Sequence, residues 1–327
     1  MSIKDSKAVR YALSCIDANN KRAPRYVKKQ CKVWLDIVNG KDPDSYVDEK
    51  AFGKICRLLK LMIHPDLGKP LYDCMEPYAW LLITAVFCTK DTEGYRYYRT
   101  ALLEICRKNF KTFYSAVIFI IGMLTEKRFG RYFSVAPDLK LSKELQNAIR
   151  KIIKSSPALD SLDVFKTMRN EIRCILTDSE YTPLAYSDDK MDGKLANIFL
   201  ADEAGAMDDY PVEAMRSSQI TLREKLGIII STQYPNDNNV FLTEIDYAKK
   251  VLEGFIADKR YFSLLYEPDD ELTTGEQWKT NDLIIYQSNP VACDYEHIFK
   301  DLADKRAMAV LYESKRENYL CKHNNIR

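Results

Sequence analysis

The chain has no paired cysteines, no clustered histidines, almost no net charge and no hydrophobic run of membrane-spanning length. Each absence excludes a class. Nine cysteines stand apart at Cys15, Cys31, Cys56, Cys74, Cys88, Cys106, Cys174, Cys293 and Cys321, with no CxxC pair. An odd, scattered set does not make a closed disulfide framework and points to reduced, mostly buried thiols. His64, His297 and His323 are remote from one another in sequence, so surface or cap positions are expected rather than a metal site. With 49 basic and 47 acidic side chains the formal charge is +2, which gives no global field for nucleic acid; any DNA contact must come from a local patch. The longest apolar run, Phe113 to Leu124, is too short for a bilayer and fits a buried helix. The first residues are polar and charged, without the pattern of a signal peptide. The expectation is a soluble cytosolic protein. Its 327 residues, 46% of them hydrophobic, make one large domain or a domain with an appendage.

What is present centres on Asn197-Ile198-Phe199-Leu200-Ala201-Asp202-Glu203-Ala204. A continuous apolar run of this length reads as a strand buried on both faces. It ends in two carboxylates, at the place where open α/β sheets put ligand chemistry. In a nucleotide hydrolase, Asp202 would help hold Mg²⁺ and Glu203 would orient or deprotonate the attacking water.

A second stretch pairs with it. Arg99 to Ile105 reads as a strand and runs into Cys106-Arg107-Lys108-Asn109-Phe110-Lys111-Thr112, after which an apolar helix begins. Strand, basic loop ending Lys-Thr, then helix is the context of a phosphate-binding loop. Backbone N–H groups of the turn and helix N-terminus point at phosphates. Lys111 would reach the β- and γ-phosphates, Thr112 would offer its hydroxyl to Mg²⁺, and Arg107 and Lys108 add positive charge. The glycines of GxxxxGK[ST] are missing: Ile105 and Phe110 stand in their places. A third apolar strand, Gly227 to Ser231, ends in Thr232-Gln233.

The rest alternates around these. Val27, Cys31, Trp34, Leu35 and Val38, then Phe52, Ile55, Cys56, Leu58, Leu59 and Met62, recur at helical spacing; the first twenty residues, being polar, are expected to fray or to dock weakly. Helices are expected over Glu76–Cys88, Leu141–Lys154 and from Asp208 to Ser218, strands at Tyr132–Ala136, Glu171–Leu176 and Leu184–Tyr186, and a charged loop over Ser187–Lys194. Alternating strands and helices make an α/β fold with a mostly parallel central sheet flanked by helices, plus an N-terminal helical region. The divisions drawn are 1–75 for that helical region, 76–260 for the nucleotide-binding core and 261–327 for a small C-terminal lid or linker.

These motifs resemble the large terminase subunit of tailed bacteriophages, the motor that packages double-stranded DNA. Arg107-Lys108-Asn109-Phe110-Lys111-Thr112 is similar to that family's Walker A variant, Leu200-Ala201-Asp202-Glu203 to its Walker B strand, and Ile229-Ile230-Ser231-Thr232-Gln233 to its coupling motif. The Tyr26–Gly40 helix, Met75-Glu76-Pro77-Tyr78, Trp278 and Asn289-Pro290 also resemble family landmarks. The resemblance implies a P-loop NTPase of the additional-strand, catalytic-glutamate type that uses ATP and Mg²⁺. In it Lys111 and Arg107 hold phosphates, Thr112 and Asp202 position the metal, and Glu203 orients water. Thr232 and Gln233 would sense the γ-phosphate. The glutamine expected near Pro77 is replaced by Ala79, leaving Tyr78 or Trp80 to stack on the base. The implied partners are DNA, a portal protein, a small terminase subunit and further copies in a ring, in the cytoplasm of an infected bacterium and not in the mature virion. An arginine from a neighbouring copy is also implied, with Arg216 and Arg223 as candidates. No carboxylate cluster for the family's nuclease is seen, so no nuclease activity is expected of this chain. Other readings of the same residues are another P-loop translocase and a nucleotide-binding assembly module with little turnover.

Overall fold

The computed structural model describes residues 2–161, 163–186, 191 and 193–327. The chain opens with α1 (Lys7–Ile16), α2 (Arg25–Val38), β1 (Ser45–Val47), α3 (Glu49–Leu61), α4 (Leu71–Cys74), α5 (Pro77–Cys88) and β2 (Thr89–Asp91). The expectation of a frayed start fails at α1. The Ser6 hydroxyl caps it by accepting the Val9 N–H at 3.1 Å, and Ala8, Val9, Ala12 and Cys15 are buried. These residues are too small for a strong hydrophobic signal, yet they let the helix approach α2 and α5 closely. β1 and β2 form a small antiparallel ribbon not foreseen from the sequence.

The core follows: β3 (Thr100–Glu104), α6 (Lys111–Thr125), β4 (Arg131–Ala136), α7 (Leu139–Ser155), α8 (Pro157–Asp160), β5 (Phe165–Thr167), β6 (Ile172–Cys174), β7 (Ser179–Ala185), β8 (Ile198–Asp202), α9 (Tyr210–Ser218), β9 (Leu226–Ser231), α10 (Val240–Glu253) and β10 (Tyr261–Leu265). The charged loop expected over Ser187–Lys194 falls mainly on residues 187–190 and 192, outside the described residues. The chain ends in α11 (Asp270–Thr273), α12 (Asp282–Ser288), α13 (Glu296–Leu311) and α14 (Glu313–Asn324).

Among the described residues one sheet has eight strands in the order β10-β3-β9-β8-β4-β7-β6-β5. The run from β10 to β7 is parallel; β6 and β5 add antiparallel pairs at one edge. β9 is therefore inserted between the strand that feeds the basic loop and the strand that ends in Asp202, the arrangement expected of the additional-strand class. The strand Tyr261–Leu265, placed by the sequence in a C-terminal lid, instead pairs along its whole length with Thr100–Glu104. It belongs to the core because its apolar residues complete the sheet's edge.

Burial on both faces explains the unbroken apolar runs. Ile198 and Leu200 join a core with α5, α6 and the N-terminal helices, while Phe199 and Ala201 join another on the opposite face. Ile228 and Ile230 alternate with Ile229 in the same way. The N-terminal helices share the first of these cores, so they are continuous with the sheet. The sequence reading found only the end of β7, at Leu184–Tyr186, because Pro183 interrupts the strand. Glu180 and Tyr186 donate their N–H groups to Gly130 and Ala136 on the β4 side. Alternation turns odd residues toward β6, whose pairing ends at Tyr181. The missing N–H of Pro183 thus falls where no partner strand remains.

Candidate nucleotide-binding site

Parallel strands bring the carboxyl ends of β3, β9 and β8 to one edge of the sheet. The loop leaving β3 wraps into the N-terminus of α6. Lys108 and Phe110 both adopt left-handed backbone, with φ of 71° and 60°, a conformation that costs a non-glycine residue roughly 1–2 kcal/mol. The loop is held by side chains instead of being relaxed by glycine. Asn109, buried, donates to Cys106 O at 3.1 Å and to Asn289 Oδ1 at 2.9 Å, and its own Oδ1 accepts the Val291 N–H at 3.3 Å. The Tyr78 hydroxyl donates to the Asn109 carbonyl. Arg107 donates its N–H to the Lys322 carbonyl at 3.1 Å.

Arg107, Lys108, Phe110, Lys111, Thr112 and Glu203 line one wall and floor of a cleft of about 940 Å³, which His297, Lys305 and His323 close from the other side. The Lys111 ammonium lies 3.8 Å from a Glu203 carboxylate oxygen. Glu203 is itself left-handed at φ 56°, so the chain turns sharply after Asp202, whose Oδ1 accepts the Glu203 N–H at 3.0 Å. The other Glu203 carboxylate oxygen accepts the Tyr234 hydroxyl at 3.0 Å. Burial, followed by the Glu203 charge, pushes the Asp202 carboxyl up to about 6, against the pull of Lys111. A basic loop, a helix N-terminus and paired acids are the groups with which a polyanion and its counter-cation can be held.

The structure thus brings together Arg107, Lys108, Phe110, Lys111, Thr112, Asp202 and Glu203. It places the other expected residues elsewhere. Tyr78 and Trp80 are each 1% exposed, Tyr78 packed edge-on between Tyr114 and Tyr266 and Trp80 lining a separate cavity with Met75 and Pro77; neither can stack on a base in the cleft. The Asn109 side chain braces the loop from within. Thr232 Oγ1 lies 2.9 Å from both Cys321 O and Asn325 Oδ1. Gln233 donates its side-chain amide to Glu104 at 2.7 Å and its N–H to Asn325 at 3.0 Å. Both residues are buried; the Thr232 hydroxyl and the Gln233 N–H and side-chain NH2 are engaged with the end of α14 and β3, while Gln233 Oε1 has no partner among the described residues. Arg216 makes a two-pronged pair with Glu244, both contacts at 2.7 Å. Arg223 lies against Glu93 and over the Tyr95 ring.

Residues at and around the cleft that escaped the sequence reading include His297, Lys305 and His323, and Tyr234 and Lys322 beside it. Tyr234 is adjacent to the Thr232-Gln233 end and was within reach of that signal. Lys322 and His323 lie in a polar helix without apolar periodicity, and nothing local marks them. Lys322 is 7% exposed and its ammonium has no hydrogen-bond acceptor among the described residues. Burial, reinforced by Arg107, pushes it down to about 7; burial also lowers His323 to about 4. His323 is therefore a neutral wall residue, and not the surface or cap histidine expected.

The family model for the terminase large subunit, ATPase domain, matches residues 77–250, from the start of α5 into α10. The chain belongs to the terminase large subunit ATPase family. The terminase match contains the basic loop, the Asp202-Glu203 strand end and the Thr232-Gln233 strand end. In structure, the chain is similar to the HK97 bacteriophage large terminase, with a TM-score of 0.68 and 21% identity over 84% of this chain and 55% of that one. It thus spans little more than half the length of that terminase, and at this identity the likeness is one of fold. A weaker resemblance is to the large terminase of a thermophilic bacteriophage in complex with ADP (TM-score 0.41, 13% identity, 58% of this chain and 45% of that one). Another is to the Phi-28 gp11 DNA packaging motor (0.37, 13%, 59% and 64%). Among curated proteins none matches.

Proposed function

We propose that this terminase ATPase domain hydrolyses ATP at the cleft between β3 and β8 and uses the energy to drive double-stranded DNA toward a capsid. The observation that carries the reading is the facing pair Lys111 and Glu203, 3.8 Å apart, with Thr112 beside the first and Asp202 beside the second. Lys111, Arg107 and the backbone of the loop hold the triphosphate. Thr112 and Asp202 are hard oxygen donors that fit Mg²⁺, an ion that takes few protein ligands and completes its shell with phosphate and water. When bound, that ion neutralises charge on the phosphate oxygens. Glu203 orients a water and takes up its proton. Lys111 must leave Glu203 to reach the phosphates, so nucleotide entry frees the catalytic carboxylate in the same movement.

DNA, a portal protein, a small terminase subunit and a ring of further copies are the partners proposed, in the cytoplasm of an infected bacterium. Non-specific backbone contact with strong salt dependence is the expected mode for DNA. For the arginine supplied by a neighbour, Arg216 is held by the buried Glu244, whereas Arg223 pairs with Glu93 at the exposed surface, which favours Arg223 of the two. The test is Mg²⁺-dependent ATP hydrolysis by the wild type beside Lys111→Ala and Glu203→Gln. A rate lost in both variants supports the site; equal rates in all three overturn it.

A further inference from the structure

Tyr234 is positioned with unusual completeness. One side of its ring lies against Gly205, where an added Cβ would come within 2.5 Å of Tyr234 Cδ2. Its hydroxyl holds Glu203. The Lys322 ammonium sits over the ring, a cation–π placement that gains strength where water is excluded. Lys322 in turn belongs to the last turn of α14, and that turn is docked at several points. Its carbonyl accepts the Arg107 N–H, the His323 carbonyl accepts Asn289 Nδ2 at 2.8 Å, the Asn324 carbonyl accepts the Ser288 hydroxyl at 2.8 Å, and Asn325 donates to Tyr266 O at 2.8 Å. One short segment therefore touches the phosphate loop through its backbone and the catalytic glutamate through Tyr234.

We propose that Tyr234 and Lys322 are positioning residues that tie the Glu203 carboxylate to the docking of α14, so that the C-terminal helix sets whether bound nucleotide is hydrolysed. This inference rests on the nucleotide-site reading above and adds a regulator to it. A buried ammonium without a hydrogen-bond acceptor is costly, and the neighbours Arg107 and Lys111 add repulsion that Glu203 only partly offsets. A polyanion in the adjoining cleft supplies the missing opposite charge. Nucleotide thus tightens Lys322 onto Tyr234 and steadies Glu203, while displacement of α14 removes the ring's support and releases the carboxylate. The relation runs both ways, as any coupling between two equilibria must.

Tyr234→Phe removes one oxygen and keeps the ring, Lys322→Met keeps the length and removes the charge, and Lys322→Arg keeps the charge. Losing one hydrogen bond to a carboxylate should lower kcat roughly tenfold in Tyr234→Phe, with KM for ATP within about twofold of wild type. Lys322→Met should behave alike and Lys322→Arg should recover most of the rate. Amide hydrogen exchange reads the same coupling without turnover: ATP-γ-S slows exchange over Tyr319–Asn325 in the wild type and not in Lys322→Met. Wild-type kcat in both Tyr234→Phe and Lys322→Met, or exchange over Tyr319–Asn325 unchanged by bound ATP-γ-S, overturns the proposal while Glu203→Gln still reports on the site itself. Failure of a fluorescent ATP analogue to bind the wild type would overturn the nucleotide reading and this inference together.

Discussion

The Lys111 ammonium and the Glu203 carboxylate face each other at 3.8 Å, although 91 positions separate them in the chain (203 − 111 = 92, less one). The contact closes the gap between the phosphate loop and the end of β8. It also makes opposite demands on two substitutions. Glu203→Gln should lower turnover by roughly 10²–10⁴-fold, the range for loss of a general base, while ATP binding stays within a few fold. Lys111→Ala should lose binding itself. Equilibrium titration with a fluorescent ATP analogue beside steady-state kinetics separates the two.

Asp202 should impose an acid limb on metal binding. Its carboxyl is pushed up to about 6 by burial and Glu203, so the proton is favoured below that pH and the free carboxylate above it. Mg²⁺ competes with the proton. The Mg²⁺ concentration needed for half-maximal activity should therefore rise as pH falls through about 6, and Asp202→Asn should abolish the trend along with most activity. Mg²⁺ titrations at acid and neutral pH check this.

Phe110 occupies a left-handed position with its ring 42% exposed. Phe110→Gly should remove strain of about 1 kcal/mol and lose little packing, giving a net gain in stability. Denaturant unfolding should show a higher midpoint, and ATP affinity should change by less than about threefold because the loop's other braces remain. A lower midpoint would mean that the edge-on contact with Tyr114 matters more than the dihedral.

Glu104 predicts a pH-dependent stability. It is fully buried at the end of β3, bonded to Gln233, with its second oxygen unpartnered. Burial raises its pKa, and Glu267 adds to the effect. A folded-state pKa above the unfolded value means that the native state binds the proton more tightly, so stability is greatest below the unfolded pKa and declines as pH rises through the folded one. Glu104→Gln removes that titration and should flatten stability between acid and neutral pH. Thermal unfolding of both proteins across that range gives the answer.

Gly205→Ala should be damaging for a different reason. Besides the Tyr234 ring, the new Cβ would meet the Thr232 carbonyl at 3.0 Å, which is backbone and cannot swing away. A cost of about 1–3 kcal/mol is expected from such overpacking, with a fall in turnover as Tyr234 is pushed from Glu203. Unfolding and kinetics measured on the same preparation check both effects.

The strands that build the cleft were legible because burial on two faces writes an unbroken apolar run into β3, β8 and β9. Lys111-Thr112 and Asp202-Glu203 were legible because polar residues at the end of such a run need a reason. The braces were not. Asn109, Thr232 and Gln233 have the residue types of ligand contacts, and only the fold shows that Asn289, Asn325 and Glu104 already engage them. Tyr78 was misplaced because proximity in sequence to Pro77 says nothing of which way the side chain turns. Lys322 lies 210 residues beyond Thr112 (322 − 112) in a helix with no apolar stripe. A contact of that kind is set by the docking of whole elements and leaves no local pattern.

The inserted position of β9 has one more consequence. Neighbouring strands lie about 4.8 Å apart, so the backbones of β3 and β8 are held roughly 9–10 Å from each other. The sheet acts as a gauge block: it fixes the width across which the lysine on one side and the carboxylates on the other are set. Were β3 and β8 direct neighbours, that width would halve. The strand that carries neither the lysine nor the acids is thus the one that sets the size of what they can hold.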